Sequence, residues 1–163
     1  MVFDDEPLNL RLIESYLEGL KYRLHFYQTR HQALEALNEN DPDLILLDLM
    51  MPGVDGYEVI KAIRSNYNLN QIPIIVITAN QQEHLSRKSI QLGANDYLIK
   101  PYSAEELRVR VNSQLRISKQ KKTEEEFEIS IEKENRERRE RVRASRILVF
   151  VNIPFFFPIW KNY

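Results

Sequence analysis

The chain has 163 residues, a formal net charge of −1 and no cysteine. That length suits one domain of ordinary size plus an appendage, and the missing thiols exclude disulfides, zinc–thiolate centres and cysteine nucleophiles. A near-neutral charge argues neither for nor against nucleic acid. The opening Met1-Val2-Phe3-Asp4-Asp5-Glu6 has neither the basic nor the apolar region of a signal peptide, so the expected location is the cytoplasm.

The first part alternates strands with amphipathic helices. A short apolar stub ends at Asp4-Asp5, and Leu8, Leu12, Ile13, Tyr16, Leu17 and Leu20 follow at helical spacing. Residues 22–27 alternate like a strand, and 31–38 read as a short helix with Ala33, Leu34 and Leu37 inward. Leu44-Ile45-Leu46-Leu47 is apolar throughout and stops at Asp48; such runs are strands buried on both faces, as in parallel sheets. The turn-rich Met51-Pro52-Gly53-Val54-Asp55-Gly56 leads to a helix carrying Val59, Ile60 and Ile63. Ile74–Ile77 is a second doubly buried run, with Pro73 tolerable at its start and Thr78 at its end. A helix from about 82 to 92 should stop at Gly93. The strand 96–99 ends at Lys100-Pro101, and Ser103-Ala104-Glu105-Glu106 is a capping-box pattern that opens another helix. Five β-then-α units predict an α/β fold with a doubly wound, five-stranded parallel sheet.

From Ser103 to about Arg146 neither glycine nor proline interrupts a helix, which at that length would extend roughly 65 Å. Residues 119–146 are mostly Lys, Arg and Glu, too polar to be buried. A weak heptad threads Ile131, Asn135, Arg138, Val142, Ser145 and Val149, with half its core positions polar. The segment therefore reads as a solvated helix or a marginal coiled coil, and a homodimer through it is the partner expectation. Its mixed signs argue against a nucleic-acid arm. The apolar tail 147–163 is interrupted by Asn152, Pro154 and Pro158 and is shorter than the roughly 20 residues a bilayer span needs. It reads as the start of an output domain. The expected division is 1–118, 119–146 and 147–163.

If the strands are parallel, their carboxyl ends share the edge where open α/β sheets bind ligands. Three aspartates, a hydroxyl and a lysine then converge there, a costly set unless a cation and an anion complete it. A carboxylate can carry a phosphoryl group as a mixed anhydride, and Asp48, alone at its strand end, is the best-placed nucleophile. Asp4-Asp5 after the first strand, Asp48 within Leu47-Asp48-Leu49-Met50-Met51-Pro52-Gly53-Val54-Asp55-Gly56, Thr78-Ala79, Tyr97 and Lys100-Pro101 occur in an order that resembles the receiver domain of bacterial two-component response regulators. The resemblance covers Met1 to about Ser118.

The resemblance implies a flavodoxin-like strand order 2-1-3-4-5 and Mg²⁺ as cofactor. It implies that Asp48 is the phospho-acceptor, that Asp5, Asp48 and the Met50 carbonyl ligate the metal, and that Asp4 acts through water. Lys100 would pair with Asp48 at rest and with phosphoryl oxygen afterwards, across a Lys100–Pro101 bond expected to be cis. Thr78 would follow the phosphate and Tyr97 would rotate into the vacated space. The implied partner is a sensor histidine kinase or a phosphotransfer protein, and the chain itself is expected to be a switch rather than an enzyme.

Met1, Val2 and Phe3 make a shorter first strand than the family pattern, so ladder groups on its neighbours are expected to go unpaired and stability to be reduced. A haloacid-dehalogenase phosphatase would need a second acid two residues after the nucleophile, where Met50 stands. A dinucleotide site would need a glycine-rich first turn, and Asp4-Asp5-Glu6-Pro7 is its electrostatic opposite. The alternatives left open are a phosphate-independent interaction module and a fragment of a receiver-linked cyclase or kinase. His25, His31 and His84 lack metal-ligand spacing.

Overall fold

The computed structural model describes residues 1–151 apart from 40, 52–53, 68–70 and 80–82. It divides into two compact units, Met1–Lys122 and Thr123–Tyr163. In the first, β1 (Val2–Phe3), β2 (Phe26–Tyr27), β3 (Ile45–Asp48), β6 (Ile74–Thr78) and β7 (Asp96–Ile99) form one parallel sheet in the order β2-β1-β3-β6-β7. Counted along this sheet alone, that is the expected order 2-1-3-4-5. A second, two-stranded antiparallel sheet pairs β4 (Met50–Met51) with β5 (Val54–Asp55) immediately after Asp48. The sequence showed only a turn there.

The doubly apolar strands are explained by the two cores they feed. Ile45, Leu47, Ile74 and Val76 pack with Leu37 of α2 (Arg30–Glu39) and with Val59, Ile60 and Ile63 of α3 (Gly56–Asn66). Leu46, Ile75, Ile77 and Leu98 face the other way, onto Ile13 and Leu17 of α1 (Pro7–Leu17) and Leu107 and Val111 of α5 (Ala104–Val151). Successive side chains point to opposite faces, so each strand must be apolar at every position. Each fully buried Ile or Leu contributes about 1.5–3 kcal/mol relative to exposure.

In α1 the buried stripe is Ile13 and Leu17, while Leu8 and Leu12 lie in solvent. The apolar count of that segment exceeds what one helical face can bury. Ala33 and Leu34 lie outside the described side chains. The helix α4 (Glu83–Gln91) gives way to Gly93 at φ +109°, a left-handed stop that also leaves room for Arg64. At the head of α5, Ser103 and Glu106 cap one another: the Glu106 amide donates to Ser103 Oγ and the Ser103 amide to Glu106 Oε2. The helix runs on through 147–151, beyond the stop expected near Arg146; residues 152–163 lie outside those described.

The strand expected over residues 22–27 is present only as Phe26–Tyr27. Tyr22 and Leu24 are still half-buried and Arg23 and His25 exposed, so the alternation persists without a ladder. The neighbouring strand β1 spans only Val2–Phe3, so the pairing covers Phe26 and Tyr27 alone.

Candidate functional site

Lys100 reaches across the carboxyl edge of the sheet. Its Nζ donates to Asp48 Oδ2 at 2.6 Å and to Asp4 Oδ2 at 3.1 Å, and its amide donates to the Thr78 carbonyl at 2.8 Å. These residues end β3, β1 and β6, so parallel strand order alone brings them together. The Lys100–Pro101 peptide is cis.

Asp48 is buried at the end of β3 and its Oδ1 accepts from the Met50 amide at 2.8 Å. Leu49 is anchored by donation to the Ile77 carbonyl. Gly56 keeps the following loop close: a Cβ there would stand 2.7 Å from Leu49 Cα. Only glycine permits that approach. Asp55 caps α3 by accepting from the Tyr57 amide.

The two acids after β1 have different surroundings. Asp4 is buried, and its Oδ1 accepts from the Glu6 amide at 2.9 Å and from Asn9 Nδ2 at 3.0 Å. With Lys100 on Oδ2, both of its oxygens are engaged. Asp5 is partly exposed and its carboxylate has no partner among the described residues. The Met50 side chain is exposed, and its amide donates to Asp48 Oδ1.

Thr78 is fully buried at the end of β6. Tyr97 pairs with Val76, two residues earlier on that strand, so Thr78 and Tyr97 share one face of the sheet. Tyr97 is partly buried against the core that contains Val76.

Burial pushes the Asp48 carboxyl above the usual range; the Lys100 hydrogen bond, the Met50 amide and the Lys100 charge oppose this, and the Asp4 charge adds to it. Burial works against the Lys100 ammonium, but the hydrogen bond and charge of Asp48, with those of Asp4, outweigh it and hold its pKa above the usual lysine range. Nearby Tyr102 is pushed up to about 12 by burial, then by the charges of Asp4, Tyr16 and Asp48.

Among the described residues no three acidic or histidine side chains form a metal-holding group by themselves. The donor chemistry nonetheless suits a hard divalent cation: carboxylates and carbonyls are what Mg²⁺ takes. One ammonium also leaves the charge of Asp4, Asp5 and Asp48 incompletely balanced.

Asn9 and Tyr102 escaped the sequence reading. Asn9 steadies Asp4 from the first turn of α1, and Tyr102 closes the site beside Asp4 with its ring against Tyr16 at 6.1 Å. Nothing in apolar periodicity marks an amide on a helix, whereas Tyr102 follows the cis proline directly. His31 is exposed and pairs with Glu35; the His84 side chain lies outside those described.

Comparison with known proteins agrees with this geometry. Residues 1–112 match the family model of the response regulator receiver domain, and the chain belongs to that family. It is similar to the receiver domain of a Francisella response regulator, with 31% identity and a TM-score of 0.64 over 71% of this chain and 93% of that one. It is also similar to the receiver domain of a sensor histidine kinase from Pseudomonas aeruginosa, solved with a magnesium ion in its active-site cleft. There the identity is 33% and the TM-score 0.63, over 70% of this chain and 93% of that one. NtrX from Brucella abortus, solved with ADP, aligns at 25% identity and a TM-score of 0.70, covering 77% of this chain but 28% of the longer one. Among the described residues no helix is long and apolar enough to cross a membrane.

Proposed function

We propose that this receiver domain takes a phosphoryl group onto Asp48 from a histidine kinase or phosphotransfer protein and relays the change through its C-terminal helix. The observation that carries the reading is Lys100 bridging two buried carboxylates at the strand ends, with Asp48 oriented by the Met50 amide. In the transfer, an Asp48 carboxylate oxygen attacks phosphorus, the O–P bond forms, the N–P bond of the donor imidazole breaks, and the nitrogen keeps the electron pair. Lys100, already aimed at Asp48, follows the negative charge to the phosphoryl oxygens. Asp5, Asp48 and the Met50 carbonyl would hold Mg²⁺, which supplies neutralisation of the equatorial oxygens; Asp4, whose oxygens are engaged by protein donors, acts through water.

The switch follows from differential contact. A phosphoryl group adds about −1.5 to −2 charges and three acceptors, which favour the state with the Thr78 hydroxyl drawn inward. Tyr97, on the same sheet face, then moves into the space released. An equilibrium shifts only by differential affinity for its two states, so the Thr78 contact governs the output. The segments 119–146 and 147–163 act as a linker and the start of an output domain, and a second copy pairs along the helix, where Phe127, Ile131 and Val142 are exposed. The chain works in the cytoplasm as a switch without catalytic turnover of its own, and a fragment of a receiver-linked cyclase or kinase is one form of that reading.

Incubation with Mg²⁺ and acetyl phosphate followed by borohydride should convert residue 48 alone to homoserine, located by peptide mass spectrometry. Reduction elsewhere, or none in a folded chain, overturns the assignment and favours a phosphate-independent module.

A further inference from the structure

Charge is segregated along the exposed stretch of α5. Residues 124–134 carry six glutamates and one lysine, and residues 135–146 carry six arginines and two glutamates. Every residue from 123 to 144 is exposed in the single chain. Two copies laid side by side in the same direction would set acid against acid and arginine against arginine. Reversing one copy sets each acidic half against a basic half.

The heptad gives the same answer at single positions. Ile131 and Arg138 share one core position of the repeat, and Asn135 and Val142 share the other. In a reversed pair the two kinds of core position meet. Ile131, exposed in the single chain, then faces the equally exposed partner's Val142, and Asn135 faces the partner's Arg138. In a same-direction pair like positions meet, so Arg138 would enter the seam against the partner's Arg138. Two guanidiniums brought together there without a counter-charge are costly.

The positions flanking the seam set the orientation of such pairs. With Ile131 opposite the partner's Val142, Glu132 lies beside the partner's Arg139 and Glu134 beside the partner's Arg141, and two-fold symmetry repeats each contact. Among residues 131–142, a same-direction pair would match only Glu134 with the partner's Arg139. The two acids of the basic half stay with their own helix: Arg136 pairs with Glu140 at 3.5 Å and Arg141 with Glu137 at 3.7 Å. We infer, on the reading that two copies pair along α5, that they do so antiparallel, with Ile131 of each against the partner's Val142. Residue 147 of one copy then comes level with residue 126 of the other. The output segment of each chain therefore starts beside the receiver-proximal end of its partner's helix.

Because the chain lacks cysteine, single nitroxide labels can be placed through Glu126→Cys and Lys133→Cys, both on the outer face of the heptad. In the antiparallel pair the two labels are offset along the axis by about 32 Å at 126 and about 10 Å at 133. Double electron–electron resonance on the full chain should give a distance longer at 126 than at 133 by about 10 Å or more. Sedimentation should show a dimer at about 100 μM. Arg139→Glu/Arg141→Glu makes all these flanking pairs repulsive and should weaken the dimer about tenfold or more. A dimer with equal distances at the two positions, or one unaffected by the charge reversal, would overturn the antiparallel arrangement and leave the pairing itself standing. A monomer at that concentration would overturn both.

Discussion

Lys100 and Asp48 lie 52 positions apart in sequence and 2.6 Å apart in space, joined by the shortest ion pair at the carboxyl edge of the sheet. Lys100 also holds Asp4 at 3.1 Å, so one ammonium restrains two carboxylates that would otherwise repel. Removing the ammonium exposes that repulsion, and the site becomes sensitive to proton and cation concentration together.

Phosphoryl uptake requires the ionised form of Asp48, whose pKa is raised by burial. The acid limb of the uptake profile should therefore lie above that of an ordinary carboxylate. Lys100 lowers the Asp48 pKa through its hydrogen bond and charge, so Lys100→Met raises it further and moves the limb to higher pH. Initial rates of acetyl phosphate uptake across pH 4–8 would measure this, about 2 units either side of neutral-to-acid assay conditions; a limb that stays in place or moves to lower pH would count against the pairing.

Thr78 separates uptake from response. Thr78→Val keeps the buried volume and the Lys100 bridge while removing the hydroxyl, so uptake should persist within about tenfold. The chemical-shift change of Tyr97 on phosphorylation should be lost. A Tyr97 response equal to that of the unaltered chain would contradict the proposed coupling.

Arg64 pins the far side of the domain. Its guanidinium donates to the carbonyls of Gly93 and Ile72 at 2.8 Å each and to Asn95 Oδ1 at 2.9 Å, and burial pushes its pKa down to about 10. Arg64→Met removes this donor from the Gly93 and Ile72 carbonyls, while Asn95 Oδ1 keeps the Ile74 amide, and should cost on the order of 3 kcal/mol in urea unfolding. A loss below about 0.5 kcal/mol, the range of ordinary surface changes, would refute this role.

Gly56→Ala tests the loop behind Asp48. The added Cβ would meet Leu49 backbone at 2.7 Å, so a loss of about 1–3 kcal/mol is expected from overpacking. Because Leu49 follows Asp48, phosphoryl uptake should slow as well; unchanged stability and uptake would show that the loop yields freely.

Much of this architecture was legible because burial on both faces forces an unmistakable pattern. Leu44–Leu47 and Ile74–Ile77 have to be apolar throughout, and polar residues at strand ends then stand out as a site. Asp4, Asp48, Thr78 and Lys100 were placed correctly at one edge by that logic together with the family resemblance. What pattern reading misses is contact made by single polar groups. Asn9 gripping Asp4 and Arg64 gripping Ile72, Gly93 and Asn95 leave no periodic trace, and the β4–β5 pair is too short to show alternation. The lead-in 22–25 has a strand's pattern without a strand's pairing, since pairing depends on a neighbour that sequence periodicity does not report.

The central claim is that Asp48 is the phosphoryl acceptor. Intact mass after incubation with Mg²⁺ and acetyl phosphate, for the unaltered chain and for Asp48→Asn, tests it most directly. The account predicts one phosphoryl group, released by base and by hydroxylamine as a mixed anhydride is, on the unaltered chain and none on Asp48→Asn. The same adduct on Asp48→Asn, or no adduct on an unaltered chain that circular dichroism shows to be folded, would contradict it.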